Sequence, residues 1–80
     1  MNDPEMSRLR WRCRRGMKEL DLLLLKYVDN DYPAAGDEAQ EAFRRLLSMS
    51  DPDILALLTG KMSTDDELLA HVIERLLTHD

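Results

Sequence analysis

Between residues 8 and 21 the chain reads Arg8-Leu9-Arg10-Trp11-Arg12-Cys13-Arg14-Arg15-Gly16-Met17-Lys18-Glu19-Leu20-Asp21, five arginines and a lysine around its only tryptophan. Arginine and tryptophan are the residue types enriched where a few side chains carry most of a binding energy, so the chemistry on offer is recognition of another surface. Covalent chemistry has no comparable set. The three glycines, Gly16, Gly36 and Gly60, are isolated and make no phosphate cradle, and none of the serines sits in a Gly-x-Ser-x-Gly turn. Cys13 is the only cysteine, so no internal disulfide is possible, and with His71 and His79 it falls short of the four ligands of a closed zinc site. Both histidines are expected to be structural, and Cys13 to be a small buried apolar residue, with a reactive thiol beside the arginines as the alternative. The expectation is a protein that is not an enzyme and holds no cofactor of its own.

Charge narrows the partner. Residues 1–20 carry six basic side chains against three acidic ones, whereas residues 21–80 carry five basic and thirteen acidic, within a total of −5. Such an acidic body is repelled by a long phosphate backbone, so a basic patch upon it suits a protein surface better than nucleic acid.

The elements that position this segment are all helical. Four aromatic residues and four Val or Ile in eighty argue against a sheet. Helix 6–15 follows a cap at Asp3 and Pro4, buries Met6, Leu9 and Cys13, and is expected to end at Gly16. Helix 17–29 is apolar nearly all round and is expected to be the central, most buried element. Residues 29–36 combine turn formers with Pro33 and Gly36 and form the longest loop. A capping box at Asp37 and Gln40 starts helix 37–48, and Ser50-Asp51-Pro52-Asp53 starts a short helix 52–59 that stops at Gly60. A second box, Thr64 and Glu67, leads into helix 65–78. Helices this short are marginal alone in water. They must pack together, around Leu20, Leu24, Phe43, Leu46, Leu55, Val72 and Leu76, as one all-α, five-helix bundle over residues 1–80.

No apolar run reaches about 18 residues and the first residues lack the pattern of a signal peptide, so a cytoplasmic protein away from membranes is expected. For the arginine segment, spacing alone leaves two readings open. One is a docking surface; the other is a solvated helix face with a glycine cap and an exposed Arg15–Glu19 contact, which as an i, i+4 pair contributes only about 0.3–0.5 kcal/mol.

The string Arg14-Arg15-Gly16-Met17-Lys18-Glu19-Leu20-Asp21, preceded by Trp11 and containing Arg-Gly-x-x-Glu, resembles the small FAD assembly factors of succinate dehydrogenase, the SdhE family. Tyr32, Phe43, the run Arg45-Leu46-Leu47 and Asp51-Pro52-Asp53-Ile54-Leu55 extend the likeness over residues 8–77. The resemblance implies a five-helix fold and a helper that binds the flavoprotein subunit of succinate dehydrogenase, and often of fumarate reductase, and promotes covalent attachment of FAD to a histidine of that client; a monomer is expected. FAD then belongs to the client. Carried over by motif, Arg15, Gly16 and Glu19 form the contact surface, with Arg8, Trp11, Arg14 and Asp51 beside them. Leu57 departs from the pattern, because relatives often carry an aromatic there. Under this reading Gly16 adopts a permissive conformation and stays reachable, and Arg15 and Glu19 are surface residues of opposite charge with few obligations inside the chain. The alternatives from other classes are a toxin-neutralising or nucleic-acid-binding regulator using the basic patch, and an adaptor with no link to flavin.

Overall fold

A computed structural model describes residues 4–78 and contains, among them, five α-helices and no strand. They are α1 (Pro4–Arg12), α2 (Lys18–Asn30), α3 (Asp37–Leu47), α4 (Asp51–Thr59) and α5 (Glu67–Leu77), with a turn of 3₁₀ helix at Tyr32–Ala34. Each contributes an apolar stripe to one core. Leu9 and Cys13 come from α1 and its end, Leu20, Leu24, Tyr27 and Val28 from α2, and Ala42, Phe43, Leu46 and Leu47 from α3. Ile54 and Leu57 of α4 and Val72, Ile73 and Leu76 of α5 complete it. Helix α5 packs on α2, α3 and α4, while α1 lies against α2.

Phe43 is at the centre, fully buried between two tyrosines. Tyr27 stacks on it at 4.5 Å between ring centroids, and Tyr32 meets it tilted at 5.8 Å. Offset and tilted pairs of this kind stabilise by about 0.5–1.5 kcal/mol beyond area burial. They also explain the segment expected to be an open loop. Tyr32 is drawn into the core, its hydroxyl accepting from Arg44 at 2.7 Å and its carbonyl from the Gln40 side chain at 2.7 Å, and the backbone winds into a 3₁₀ turn to allow it. The longest connection is instead 60–66, between α4 and α5.

Several boundaries differ from expectation for identifiable reasons. Helix α1 stops at Arg12 rather than residue 15, because the Cys13 and Arg14 amides turn back to the Arg10 and Trp11 carbonyls at 3.1 and 3.0 Å and tighten the last turn. The Asp3 cap lies outside the described residues. Asp37 and Gln40 form no capping box: Gly36 is the N-cap, and Gln40 is committed to Tyr32. Thr64 and Glu67 form none either. Asp66 caps α5, its carboxylate accepting the Leu68 and Leu69 amides at 3.0 and 3.2 Å, while Thr64 accepts from the Asp66 amide. The Leu69 amide, and then Arg45 at 2.9 Å, hold the Asp66 carboxyl below the usual carboxylate range. That contribution is therefore present above the ordinary carboxylate pKa and lost on acidification. The other two signals behave as read: Ser50 caps α4 by accepting the Asp53 amide, and Gly60 closes it at φ +81°.

Helix α2 is not buried all round. Leu24 is fully enclosed, but Leu22 keeps 58% of its surface exposed, so the helix is one-sided with an apolar residue left on its outer face. Leu55 is half-buried at the core's edge, and Ile54 and Leu57 take the inward positions expected of it. Leu57, where an aromatic is common in the resembled family, thus faces the core.

Leu24→Ala is expected to lower unfolding free energy by about 2–5 kcal/mol in urea titrations, because it removes a fully buried side chain and leaves a cavity in the core. Leu22→Ala should stay within about 0.5 kcal/mol of the parent. Equal effects at the two positions would show that the burial pattern of α2 is wrong.

Candidate functional site

The arginine-rich segment spans the end of α1, the five-residue linker 13–17 and the first turns of α2. Cys13 anchors it. The side chain is fully buried, its thiol donating to the Leu9 carbonyl at 3.3 Å, and burial pushes the thiol pKa up to about 11 against the pull of Arg10, Arg12 and Arg15. The reactive-thiol alternative fails on that burial, since the thiolate is the reactive form.

Arg15 overturns the expectation of a free surface residue. Its side chain is only 16% exposed and turns inward, pairing with Asp51 and donating to the Leu47 carbonyl at 2.9 Å and to the Met49 carbonyl. The Leu47 carbonyl closes α3, where backbone acceptors lack helical partners and the helix dipole favours a cation; the Met49 carbonyl lies in the connection that follows, and Asp51 opens α4. One guanidinium thus satisfies the corner between two helices from a linker more than thirty residues earlier. Arg12 assists, donating to the Ser48 hydroxyl at 3.1 Å and to the Arg44 carbonyl at 3.4 Å. The i, i+4 pair of Arg15 with Glu19 does not exist, because Arg15 lies outside the helix that begins at Lys18. Asp51 is likewise half-buried and occupied by Arg15.

Gly16 follows with φ +84°, exposed, and nothing lies within 4 Å of where a Cβ would stand. It is a bend inside the linker and not the cap of α1. Asp21 holds it: one carboxylate oxygen accepts the Arg15 amide at 2.9 Å and the other the Gly16 amide at 3.3 Å. Sequence reasoning gave Asp21 no part. The signal was present, since a carboxylate five residues after a glycine, in the first turn of a helix, is placed to gather loop amides at the positive end of the dipole.

Beyond the bend, Glu19 is exposed on the first turn of α2 with no hydrogen bond or ion pair among the described residues. It borders a shallow depression with Met17, Lys18 and Leu55, so α4 contributes an apolar residue to the same surface. Trp11 is 71% exposed with the Arg14 guanidinium 6.0 Å above its ring, within cation–π range, and both border a second depression with Arg10 and Leu25. Arg8 is exposed and borders neither. The expected residues therefore divide. Gly16, Glu19, Trp11, Arg14 and Arg8 are presented outward; Arg15 and Asp51 are joined beneath them as support.

Among the described residues no group of three or more His, Cys, Asp or Glu could hold a metal ion, and no helix is long and apolar enough to cross a membrane. His71 is exposed on α5, and His79 lies outside the described residues. What the surface offers is a rigid backbone bend, an unpaired carboxylate and an exposed indole with its guanidinium, the parts of a protein-docking face.

Comparison with known proteins gives the same direction. Residues 7–80 match the Sdh5 family, described as flavinator of succinate dehydrogenase. A protein of Idiomarina loihiensis named FAD assembly factor SdhE is 45% identical over 74 residues, covering 92% of this chain and 82% of that one. One of the same name from Legionella pneumophila strain Paris is 45% identical over 69 residues, covering 86% and 87%. Another, from a Serratia species, is 34% identical across all 80 residues and 91% of its own length.

Arg15→Ala leaves the Leu47 and Met49 carbonyls and Asp51 without their common donor, and is expected to lower stability by about 1–3 kcal/mol in urea. Glu19→Ala should leave the midpoint nearly unchanged, because Glu19 makes no hydrogen bond or ion pair among the described residues. Cys13 should resist a thiol-specific disulfide reagent at pH 8 and react fully once urea unfolds the chain; rapid labelling of the native protein would show that the linker is not anchored.

Proposed function

We propose, for a chain that belongs to the family of succinate dehydrogenase flavinators, that it is an FAD assembly factor which docks on the flavoprotein subunit of succinate dehydrogenase and promotes covalent attachment of the flavin. The reading extends to the flavoprotein of fumarate reductase, and to a cytoplasmic, monomeric helper that is no enzyme and leaves FAD with its client. The chemistry of attachment lies in the flavin and its acceptor histidine, so a helper of this kind acts by holding the client in a competent arrangement.

The observation that carries the docking site is Gly16, a bend at φ +84° with open space above it, fixed from behind by Asp21 and Arg15. Without a Cβ it lets a partner's backbone approach closely, and because the bend is already ordered, docking loses little conformational freedom. Glu19 offers a charge at a set place on α2, and Trp11 with Arg14 offers a large apolar and cationic contact. Arg15 and Asp51 serve the same face from below by keeping the linker on the α3–α4 corner.

The test is in-gel flavin fluorescence of the succinate dehydrogenase flavoprotein in cells that lack this protein, complemented with each variant at equal level. The parent chain is expected to restore the covalent flavin signal. Gly16→Arg should not, since it strains the bend and sets a bulky cation where the partner must approach, and Glu19→Ala should restore it only in part, both with helical circular dichroism unchanged. Full restoration by Gly16→Arg would remove the bend from the working surface, and failure of the parent chain would remove the function.

A further inference from the structure

Eight arginines share sixteen carboxylate side chains in this chain. Arg10, Arg15, Arg45 and Arg75 each have one as partner, at Asp29, Asp51, Asp66 and Asp31. Arg8, Arg12, Arg14 and Arg44 have none among the described residues, and three of those four line one groove between α1, the 3₁₀ turn and α3. The groove has a volume of about 370 Å³, with Met6, Leu9 and Tyr32 as its apolar part and Glu5 as the only carboxylate on its lining among the described residues. Arg44 and Arg12 direct hydrogen bonds only to neutral acceptors, the Tyr32 and Ser48 hydroxyls and the Arg44 carbonyl, which orient the guanidinium groups without cancelling their charge. Arg8 has no hydrogen bond among the described residues and is exposed. Three guanidinium charges against one carboxylate, two of them oriented by neighbours, form a receptor for anionic groups, since the planar fork of arginine matches a carboxylate's two oxygens.

We propose that this groove is a second docking site, taking a short acidic peptide segment of the flavoprotein partner, with glutamate or aspartate carboxylates on Arg8, Arg12 and Arg44 and an apolar side chain against Met6 and Leu9. A short segment fits where a polyphosphate does not, because the thirteen acids beyond residue 20 repel a long anion and leave a local one untouched. The apolar lining also has no use in binding a bare phosphate. The identity of the partner rests on the function proposed above; the chemistry of the groove does not.

Two measurements test it. In the first, the free chain is titrated with an acetylated Glu-Leu-Glu-Glu peptide and, separately, with inorganic phosphate, while the arginine side-chain Nε–H signals are followed by NMR. The peptide is expected to move Arg8, Arg12 and Arg44 and to leave Arg45 and Arg75 in place. No movement, or tighter binding of phosphate than of peptide, would overturn the proposal. In the second, affinity for the purified apo-flavoprotein is measured at 50 and 300 mM salt. Arg8→Glu should weaken docking at least tenfold at low salt and flatten the salt dependence. Arg44→Gln, which removes the charge and shortens the donor that meets the Tyr32 hydroxyl, should weaken it severalfold when measured below that variant's own melting temperature. Lys61→Glu, the same charge change as Arg8→Glu on an exposed lysine of the 60–66 connection, should dock like the parent. If Arg8→Glu and Lys61→Glu dock alike, the groove is not an interface; if the parent chain does not dock at all, the proposed function fails while the peptide titration still decides the groove.

Discussion

The corner between α3 and α4 depends on a cation from another part of the chain. Helix α3 ends at Leu47 with a carbonyl that has no helical donor, α4 begins with Asp51 after three connecting residues, and Arg15 reaches both. Because an unmet buried acceptor costs more than a formed hydrogen bond returns, the linker that carries Arg15 has little choice of path. The rest of the presenting face follows from that path. Asp21 then takes up the Arg15 and Gly16 amides, and the bend projects outward.

The aromatic centre answers a different problem. Eighty residues bury little apolar surface, so each large side chain matters more than it would in a bigger domain. Phe43 between Tyr27 and Tyr32 joins α2, the 3₁₀ turn and α3 in one stack, and α5 closes over the assembly with Val72 and Leu76. Arg44 belongs to both systems: its carbonyl receives Arg12 and its guanidinium holds the Tyr32 hydroxyl. Core and presenting face are thereby joined through one residue of α3.

Where a local rule decided the outcome, the sequence was enough. Apolar residues at helical spacing located all five helices, and Ser50 with Pro52 and Gly60 bounded α4, because a cap and a terminating glycine act within a few residues. The reading failed where a distant partner decided. Gln40 looks like the second half of a capping box until Tyr32 claims it, and Thr64 looks like a cap until Asp66 takes the amides. Leu55 and Leu57 have the same hydrophobicity, and only the rotation of α4 against α5 separates the one at the edge from the one inside. At the site, Glu19 was legible as a surface charge and Gly16 as an exposed glycine in a permissive conformation, though it was placed at the end of α1 and not in a linker bend. The inward turn of Arg15 was not, since its three acceptors lie more than thirty residues away and two are backbone carbonyls, which every sequence contains.

The backbone angle at Gly16 has one more meaning. In the free protein there is room for a side chain at this position, for nothing lies within 4 Å of the missing Cβ. What excludes one is chirality: at φ +84° an L-residue is strained, whereas its mirror image would sit without strain. Glycine, being achiral, is the one genetically encoded residue that reads that angle as ordinary. The position is closed by the handedness of the chain first and by the size of any partner second, so the shape of the presenting face is set before anything binds to it.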